Sequence, residues 1–504
     1  MARTRAALAL IAVTAAAATS VSGGSQADPR TPAALPGLPP PFLTAAVLGD
    51  GGLTAGIDAY GDVIDLRTRP AGRPLIDNPY ELQAAGAVRA RTGVVPLASV
   101  ADGPSLPFWR ADGVRQRYLP GTSVLRTVAE FGDAAVAIEC AASDTELGCL
   151  SEGPVSFGRE LLGGAGRVHL DDARARGIVV REAAAGRRWL GDARSLGTGA
   201  PAWADRLYER SLLVMRALVD GRSGAVAAGA RDGWAYVWPR DAGAVALALA
   251  SAGYRQKARR AARFLLALDL GAAARFDGAG EPVEGRPAQG DAAGWTAAAA
   301  RAAGVATRLA PGMWKDRADY QEKSPGNYLA NALSTVDGPK SAPYLSFSAH
   351  RQWRGFVTRE GLVREAGGGL DSAAAWAVRP FARPELYAAA RRTLLRLSDE
   401  GGRFGIVPSQ DWDEEDPWTA PTAWSAWSLA ALAAGDRRTA RAAVDRRAAL
   451  RLLIDLRRAA TPAGLLPERV DARTGVPRST APLAWSHAFA VLALRRLWPG
   501  RGRP

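Results

Sequence analysis

The chain has 504 residues, of which 48% are apolar and 23% charged. This is the composition of a globular protein, and it argues against wholesale disorder, a collagen-like repeat or a membrane protein with many spans. The net charge is +14, but only four of the 64 basic residues are Lys, and the Arg residues are scattered among Ala and Gly. Without a basic stripe or a known binding module, we expect no nucleic-acid partner.

The first 27 residues read as a secretory signal peptide. Arg3 and Arg5 precede a small, mostly apolar run over residues 6–18, and Ser-Gln-Ala at 25–27 ends it with small residues. The run is too short for a membrane anchor, and no later stretch reaches about 18 unbroken apolar residues. We expect a secreted, extracellular protein without a membrane span, with residues 28–42 as a Pro-rich tether.

Two Cys residues, Cys140 and Cys149, lie on either side of a turn-like stretch. Export would allow them to form a disulfide across a hairpin, contributing about 2–3 kcal/mol for so short a loop. Two buried free thiols are the alternative. The chain has only two Cys and three His. A Cys-rich zinc site is therefore excluded, and carboxylates are the most abundant reactive groups.

Residues 43–199 predict a domain of β-strands. Short apolar or alternating runs follow one another at intervals of about 8–12 residues, separated by Gly, Asp and Pro. The clearest runs are 44–49, 53–58, 62–66, 124–129 and 135–140. We expect this half to form an antiparallel β-sandwich.

From residue 200 the pattern changes to long apolar faces with the 3.6-residue period of helices. The segments predicted to be helical are 202–219, 239–252, 254–269, 292–303, 327–336, 344–357, 372–379, 384–398, 418–434, 436–457 and 482–497. So many successive helices without intervening strands favour a ring of helical hairpins. We expect residues 200–500 to form an (α/α)6 barrel, with polar loops around a central cavity.

Four predicted loops concentrate carboxylates, Arg and aromatic residues: 231–241, 289–295, 319–328 and 465–471. Carboxylates on separate loops around a cavity edged by Trp are typical of glycoside hydrolysis. One carboxyl group protonates the leaving oxygen, another activates water or attacks carbon, and aromatic faces stack on the sugar.

These segments resemble the glucoamylase-like glycoside hydrolases, the family of glucoamylases and glucodextranases. Residues 234–241, Trp-Ala-Tyr-Val-Trp-Pro-Arg-Asp, look like the family's Trp-x-Arg-Asp segment, and residues 280–291 are similar to its next loop. Residues 466–471 and 482–487 match the region that supplies the general base. The resemblance covers essentially the whole mature chain, and it implies a β-sandwich followed by an (α/α)6 barrel.

The resemblance makes Glu468 the general base and Glu322 the general acid. A salt bridge with Arg469 is the alternative for Glu468, and a plain carboxylate at a helix start is the alternative for Glu322. Gln321 stands where the family has Trp, and Lys323 replaces a second carboxylate, so a cation would favour the ionised form of the acid. The fallback source of the acid is the cluster Asp411, Asp413, Glu414, Glu415 and Asp416.

Sugar binding is assigned by the same resemblance to Trp238, Arg240, Asp241, Asp291 and Trp418. The two carboxylates each have a structural alternative. Asp241 follows Pro239 at a helix start and could merely favour the first turn, and Asp291 could be an N-cap. Trp424 and Trp427 share a helix face, and we expect them in the core.

The resemblance implies an inverting hydrolase that releases glucose from the ends of α-linked oligo- or polysaccharides, without a metal or organic cofactor. The linkage (α-1,4, α-1,6 or that of trehalose) and the oligomeric state stay open. The rival is a secreted carbohydrate-binding protein on the same scaffold without hydrolytic activity. A lyase of similar barrel shape is a third hypothesis, but the segment around Glu468 argues against it.

Overall fold

The computed structural model describes residues 34–78, 93–99, 103–163, 165–231, 233–309, 317–323, 328–335, 353–435 and 439–500. The predicted signal peptide, the start of the tether and most of the helix predicted at 344–357 lie outside these residues. Within them, antiparallel sheets occupy the N-terminal part, and helices joined by long loops make up the C-terminal part.

The described strands form two sheets. One has the order β1-β2-β3-β5-β11, with β4 paired to β3 and β6 paired to β5, and the other has the order β12-β10-β9-β8-β7. The strands are β1 (Thr44–Gly49), β2 (Thr54–Asp58), β3 (Val63–Arg67), β4 (Pro74–Ile76), β5 (Gly93–Ala98), β6 (Leu106–Pro107), β7 (Gly113–Tyr118), β8 (Leu125–Phe131), β9 (Ala134–Ser143), β10 (Glu146–Glu152), β11 (Val155–Glu160) and β12 (Val168–Leu170). All pairings are antiparallel except the one between β10 and β12. The five clearest strand predictions are confirmed.

The two sheets share one core, to which both contribute buried side chains. In β8 every second residue from Leu125 to Phe131 is buried. Tyr118 of β7 reaches the other sheet, where its hydroxyl donates to the carbonyl of Val47 at 2.7 Å. Cys140 and Cys149 are directly opposite each other on β9 and β10, and they form the predicted disulfide.

A helix that the sequence analysis missed, α1 (Ala173–Asp192), lies within the segment assigned to strands. Asp172 caps it, accepting a hydrogen bond from the Ala175 N–H at 2.6 Å. Ile178 and Val179 of α1 pack on the second sheet against Val124 and Ala141. The apolar face of α1 is narrow because Arg and Gly interrupt its sequence, so the 3.6-residue period is weak.

The remaining described helices follow the predicted segments, with shifted ends. They are α2 (Ala202–Leu218), α3 (Pro239–Ala252), α4 (Arg255–Leu266), α5 (Ala292–Ala303), α6 (Leu329–Leu333), α7 (Ala374–Val378), α8 (Tyr387–Glu400), α9 (Thr419–Gly435), α10 (Ala440–Ala459) and α11 (Ala484–Leu497). α6 and α7 are shorter than predicted, at five residues each.

Aromatic rings fill the centre of the helical part. Trp295 of α5, Trp376 of α7, Trp424 of α9 and Phe489 of α11 meet edge to face at centroid distances of 5.2–5.7 Å. Such contacts add to the hydrophobic stabilisation of a core. Trp424 is fully buried and Trp427 is buried beside it, as predicted. This cluster joins the helices whose loops carry the candidate site.

Candidate active site

A cavity of about 250 Å³ is lined by loops between the helices and by the first turns of α3 and α11. Its wall contains six of the seven residues predicted to form the site: Trp238, Arg240, Asp241, Glu322, Trp418 and Glu468. Further polar and aromatic residues on the wall are Trp234, Arg286, Tyr320, Gln321, Trp412, Glu414, Arg469 and Trp485. Four separate chain segments therefore bring carboxylates to one cavity with aromatic walls.

Glu468 is held by its backbone and by its side chain. Its N–H donates to the carbonyl of Thr480 at 2.9 Å, and its carbonyl accepts from the N–H of Thr419 at 3.0 Å. Its carboxylate accepts from the indole Nε1 of Trp234 at 3.2 Å and from the hydroxyl of Ser479 at 2.5 Å. Two donors on the two oxygens fix the orientation of the carboxylate in the cavity wall.

If Glu468 were only structural, Arg469 would be its expected ion-pair partner. Arg469 instead pairs with other carboxylates. Its guanidinium pairs with Glu414 and, at 3.5 Å, with Asp416. Among the described residues Glu468 has no ion pair. The salt-bridge alternative for Glu468 is therefore not what the structure shows.

Glu322 lies on another chain segment of the cavity wall, in a turn closed by a hydrogen bond from its N–H to the carbonyl of Asp319 at 3.0 Å. Its φ is +57°, in the left-handed region that residues with a side chain rarely adopt. Strained backbone of this kind recurs at functional sites. Glu322 belongs to this turn rather than to a helix start, since α6 begins at Leu329.

Buried ion pairs and hydrogen bonds hold the turn that carries Glu322. Asp319 accepts from Arg364 Nε at 2.9 Å, and its other oxygen accepts from the Gln321 N–H at 3.0 Å. The hydroxyl of Tyr320 donates to Asp371 at 3.2 Å. Burial raises the pKa of Asp371 to about 7, and it also raises the pKa of Asp319 despite the opposing effect of Arg364.

The cation beside Glu322 is Arg286, not the expected Lys323. Arg286 forms an ion pair with the Glu322 carboxylate and lies 5.7 Å from the Trp238 ring. Lys323 turns away and pairs with Asp413 at 3.0 Å. Arg286 belongs to the segment 280–291 noted in the sequence, but 36 positions separate it from Glu322, so only the fold could reveal the pair.

Arg240 is a buried residue of the cavity wall, and carboxylates compensate its charge. Its Nη1 lies 3.0 Å from Asp291 Oδ2 and donates to Gln289 at 2.5 Å, and its guanidinium lies 4.5 Å from the Trp485 ring. Asp291 is fully buried, makes no capping hydrogen bond and lies behind Arg240 rather than on the wall. Any effect of Asp291 on a sugar would therefore act through Arg240.

Asp241 follows Arg240 in the first turn of α3, with a side chain on the cavity wall. Burial is the largest effect on this carboxyl and raises its pKa to about 7, since repulsion by Asp291 and Glu468 adds to desolvation and offsets the attraction of Arg240. Asp241 can therefore donate or accept a hydrogen bond near neutrality, which suits contact with a sugar hydroxyl.

One member of the acidic cluster considered as a fallback, Glu414, reaches the cavity, where it pairs with Arg469. Asp413 pairs with Lys323, and Asp416 pairs with Arg478 at 3.1 Å. Three of the five carboxylates of the cluster are therefore engaged in ion pairs. Among the described residues, no group of three His, Cys, Asp or Glu side chains is arranged to hold a metal ion.

Aromatic rings that the sequence analysis did not assign to the site complete the wall. Trp412 meets Trp418 edge to face at 5.0 Å, and Trp485 lies in the first turn of α11. Trp412 stands within the acidic cluster and Trp485 within the motif 482–487. Each Trp lies within a segment that the sequence analysis had already selected, and this position was the signal that could have identified it.

In the part of the chain that the structure describes, no helix is both long and apolar enough to cross a bilayer.

The sequence matches no protein-family model and no curated protein. The fold, by contrast, has many solved relatives.

A bacterial glucoamylase complexed with acarbose superimposes with a TM-score of 0.61 at 11% identity, covering 90% of this chain and 94% of that one. A glucoamylase from Saccharomycopsis fibuligera matches 60% of this chain at 14% identity with a TM-score of 0.46, and a wild-type glycosidase matches 59% at 19% identity with a TM-score of 0.46. The chain therefore shares the fold of bacterial glucoamylase over nearly its whole length, which confirms, at the level of the fold, its resemblance to the glucoamylase-like glycoside hydrolases.

Proposed function

We propose that this protein is a secreted glycoside hydrolase that releases glucose from the ends of α-linked glucosides with inversion of configuration. The observation that carries the proposal is that Glu322 and Glu468, on chain segments almost 150 residues apart, line one cavity with Trp238, Arg240 and Asp241. The shared fold with a glucoamylase complexed with acarbose supports a saccharide as the ligand.

In the proposed reaction Glu322 gives its proton to the glycosidic oxygen while Glu468 removes a proton from water. The water oxygen forms the new bond to the anomeric carbon as the bond to the leaving oxygen breaks. Inversion requires the two carboxyl groups to be about 6.5–9.5 Å apart, with the water between Glu468 and the sugar. The donors from Trp234 and Ser479 keep Glu468 oriented for this step.

Arg240 and Asp241 would hold the hydroxyls of the terminal sugar against the ring of Trp238, with Trp418 as a further platform. A subsite that these residues close at one end would limit attack to chain ends. Residues 1–27 support secretion by their sequence, and the Cys140–Cys149 disulfide suits an oxidising compartment. We further propose that the helices form an (α/α)6 barrel, as the glucoamylase-like resemblance implies.

The ion pair between Arg286 and Glu322 favours one second candidate, a carbohydrate-binding protein without hydrolysis. A carboxylate kept ionised by a cation is a poor acid. The hydrolase therefore requires that substrate separates Glu322 from Arg286, whereas the binding protein does not.

Glucose release from maltose, maltooligosaccharides, isomaltose, dextran and trehalose separates the two candidates. We expect β-glucose as the first product from at least one substrate, and a loss of about 10²-fold or more in both Glu468→Gln and Glu322→Gln. Glu415→Gln, an exposed carboxylate off the cavity wall, is the matched control, and Glu414→Gln tests the fallback acid. Saturable sugar binding without cleavage of any substrate would establish the binding protein instead.

A further inference from the structure

A second cavity, of about 420 Å³, lies between the β-sheets and the helices. Its wall is formed by the end of β7 and the turn after it, by one face of α2, and by the end of α10 with the loop 461–464. It shares no residue with the candidate active site. Its size falls within the range of small-molecule sites.

Four guanidinium groups line this cavity, from Arg117, Arg206, Arg210 and Arg457, against one carboxylate, Glu209. None of the four forms an ion pair with a described residue. The Arg residues on the wall of the candidate active site differ in this respect, because Arg240, Arg286 and Arg469 each pair with a carboxylate. The second cavity therefore has an excess of positive charge that the described protein does not neutralise.

Arg210 lies deepest among the four. Its guanidinium lies 3.8 Å from the centre of the Tyr118 ring and donates to the Thr122 carbonyl at 3.0 Å. Burial lowers the pKa of Arg210 to about 10, although the neighbouring Glu209 carboxylate acts in the opposite direction. A desolvated cation that a nearby carboxylate compensates only in part is unfavourable, so an anion bound beside Arg210 would be stabilised.

One wall of the cavity is aromatic. Trp203, in the first turn of α2, is half-buried, and Trp498 fixes its ring from the side in an edge-to-face contact at 6.0 Å. An indole held in this way provides a platform for the C–H surface of a sugar ring, as aromatic side chains do in ligand pockets.

We propose that this cavity is a second ligand site, which binds a small acidic saccharide such as a uronic acid or a sugar phosphate. The carboxylate or phosphate contacts the guanidinium groups, which match both in bidentate geometry. The sugar ring lies against Trp203. This site is independent of the proposed hydrolysis, and it binds its ligand whether or not glucosides are cleaved.

Titration calorimetry on the whole protein tests the proposal with glucuronate, glucose 6-phosphate, inorganic phosphate and glucose. We expect saturable binding of glucuronate or glucose 6-phosphate that weakens with added salt, and at least tenfold weaker binding of glucose and inorganic phosphate. Arg206→Gln combined with Arg457→Gln removes two exposed side chains and should weaken the acidic sugar at least tenfold. Arg447→Gln, an exposed Arg on α10 away from the cavity, is the matched control and should bind as the wild type does.

Trp238→Ala alters the candidate active cavity and should leave the affinity unchanged. No binding of either acidic sugar, equal binding of glucose, or full affinity in the double variant would overturn the proposal. Loss of binding in Trp238→Ala would assign the ligand to the other cavity and overturn it as well. Equal binding of inorganic phosphate would leave only an anion site and overturn the saccharide assignment.

Discussion

His487 Nε2 accepts a hydrogen bond from the backbone N–H of Leu466 at 2.9 Å, two residues before Glu468. His487 Nδ1 lies 2.9 Å from the hydroxyl of Ser211 on α2. Since Nε2 accepts, the ring is neutral and its proton is on Nδ1. A fully buried imidazole thus connects α2, α11 and the chain that carries the proposed base.

The state of this imidazole predicts how stability depends on pH. Burial lowers the pKa of His487 to about 3, whereas an unfolded chain has a His pKa near 6.5. The unfolded state therefore binds one more proton between these values, and stability falls as pH decreases from about 6.5, with a slope of about 1.4 kcal/mol per pH unit. Denaturant unfolding of wild type and His487→Gln between pH 4 and 7 measures this slope. An equal slope in both proteins would contradict the assignment.

A buried pair of carboxyls in the β-sheets predicts the opposite dependence. Asp58 and Asp62 are both fully buried; desolvation raises both pKa values, and repulsion by Asp58 raises that of Asp62 further. Asp58 accepts from the backbone N–H groups of Phe42, Tyr60 and Asp62, so it has more hydrogen-bond donors than Asp62. The pair stabilises the fold when protonated, and this contribution is lost as pH rises through the raised pKa values.

We therefore expect Asp62→Asn to be more stable than wild type at pH 8 and close to it at pH 5, since the amide removes the repulsion. Free energies of unfolding at the two pH values measure the difference. Asp133→Asn, an exposed residue of the β8–β9 turn, is the control and should change stability by less than about 0.5 kcal/mol. Destabilisation of Asp62→Asn at pH 8 would mean that the carboxylate form is favoured.

Two donors position Glu468, and their removal should slow turnover without preventing substrate binding. Trp234→Phe keeps the ring and removes the N–H, and Ser479→Ala removes the hydroxyl. Each should lower kcat about tenfold with little change in KM, because the lost contact orients the base and does not hold the sugar. Steady-state kinetics on the best glucoside gives both constants. A raised KM at unchanged kcat would make these residues sugar ligands.

That Trp238, Arg240, Asp241 and Glu468 would line one cavity could be predicted from the sequence, because they belong to short segments that resemble motifs of the glucoamylase-like hydrolases. The partners of those residues could not be predicted in the same way. Ser479 is an ordinary residue until the chain folds back on Glu468, and Arg286 is one of many Arg residues. Helix α1 was missed for a related reason: its apolar face is completed by the sheet beneath it and not by its own sequence.

The buried pair of Arg240 and Asp291 should matter for stability as well as for sugar binding. Asp291→Asn removes the counter-charge of a buried guanidinium and should destabilise the fold by about 3–5 kcal/mol. The exposed pair of Arg451 and Asp399 is the control, and Asp399→Asn should change stability by less than about 1 kcal/mol. Chemical denaturation measures both. Equal, small effects in the two variants would show that Gln289 and Asp241 suffice to hold Arg240.

The contact between Arg286 and Glu322 predicts the pH range in which the acid works. The hydrolase needs a protonated Glu322, and the adjacent guanidinium favours the ionised form. Arg286→Gln should therefore move the basic limb of the kcat profile to higher pH, since a carboxyl without a neighbouring cation keeps its proton longer. Arg354→Gln, an exposed Arg off the cavity wall, should leave the profile unchanged. If Arg286→Gln instead lost activity at every pH, Arg286 would act on the substrate rather than on the acid.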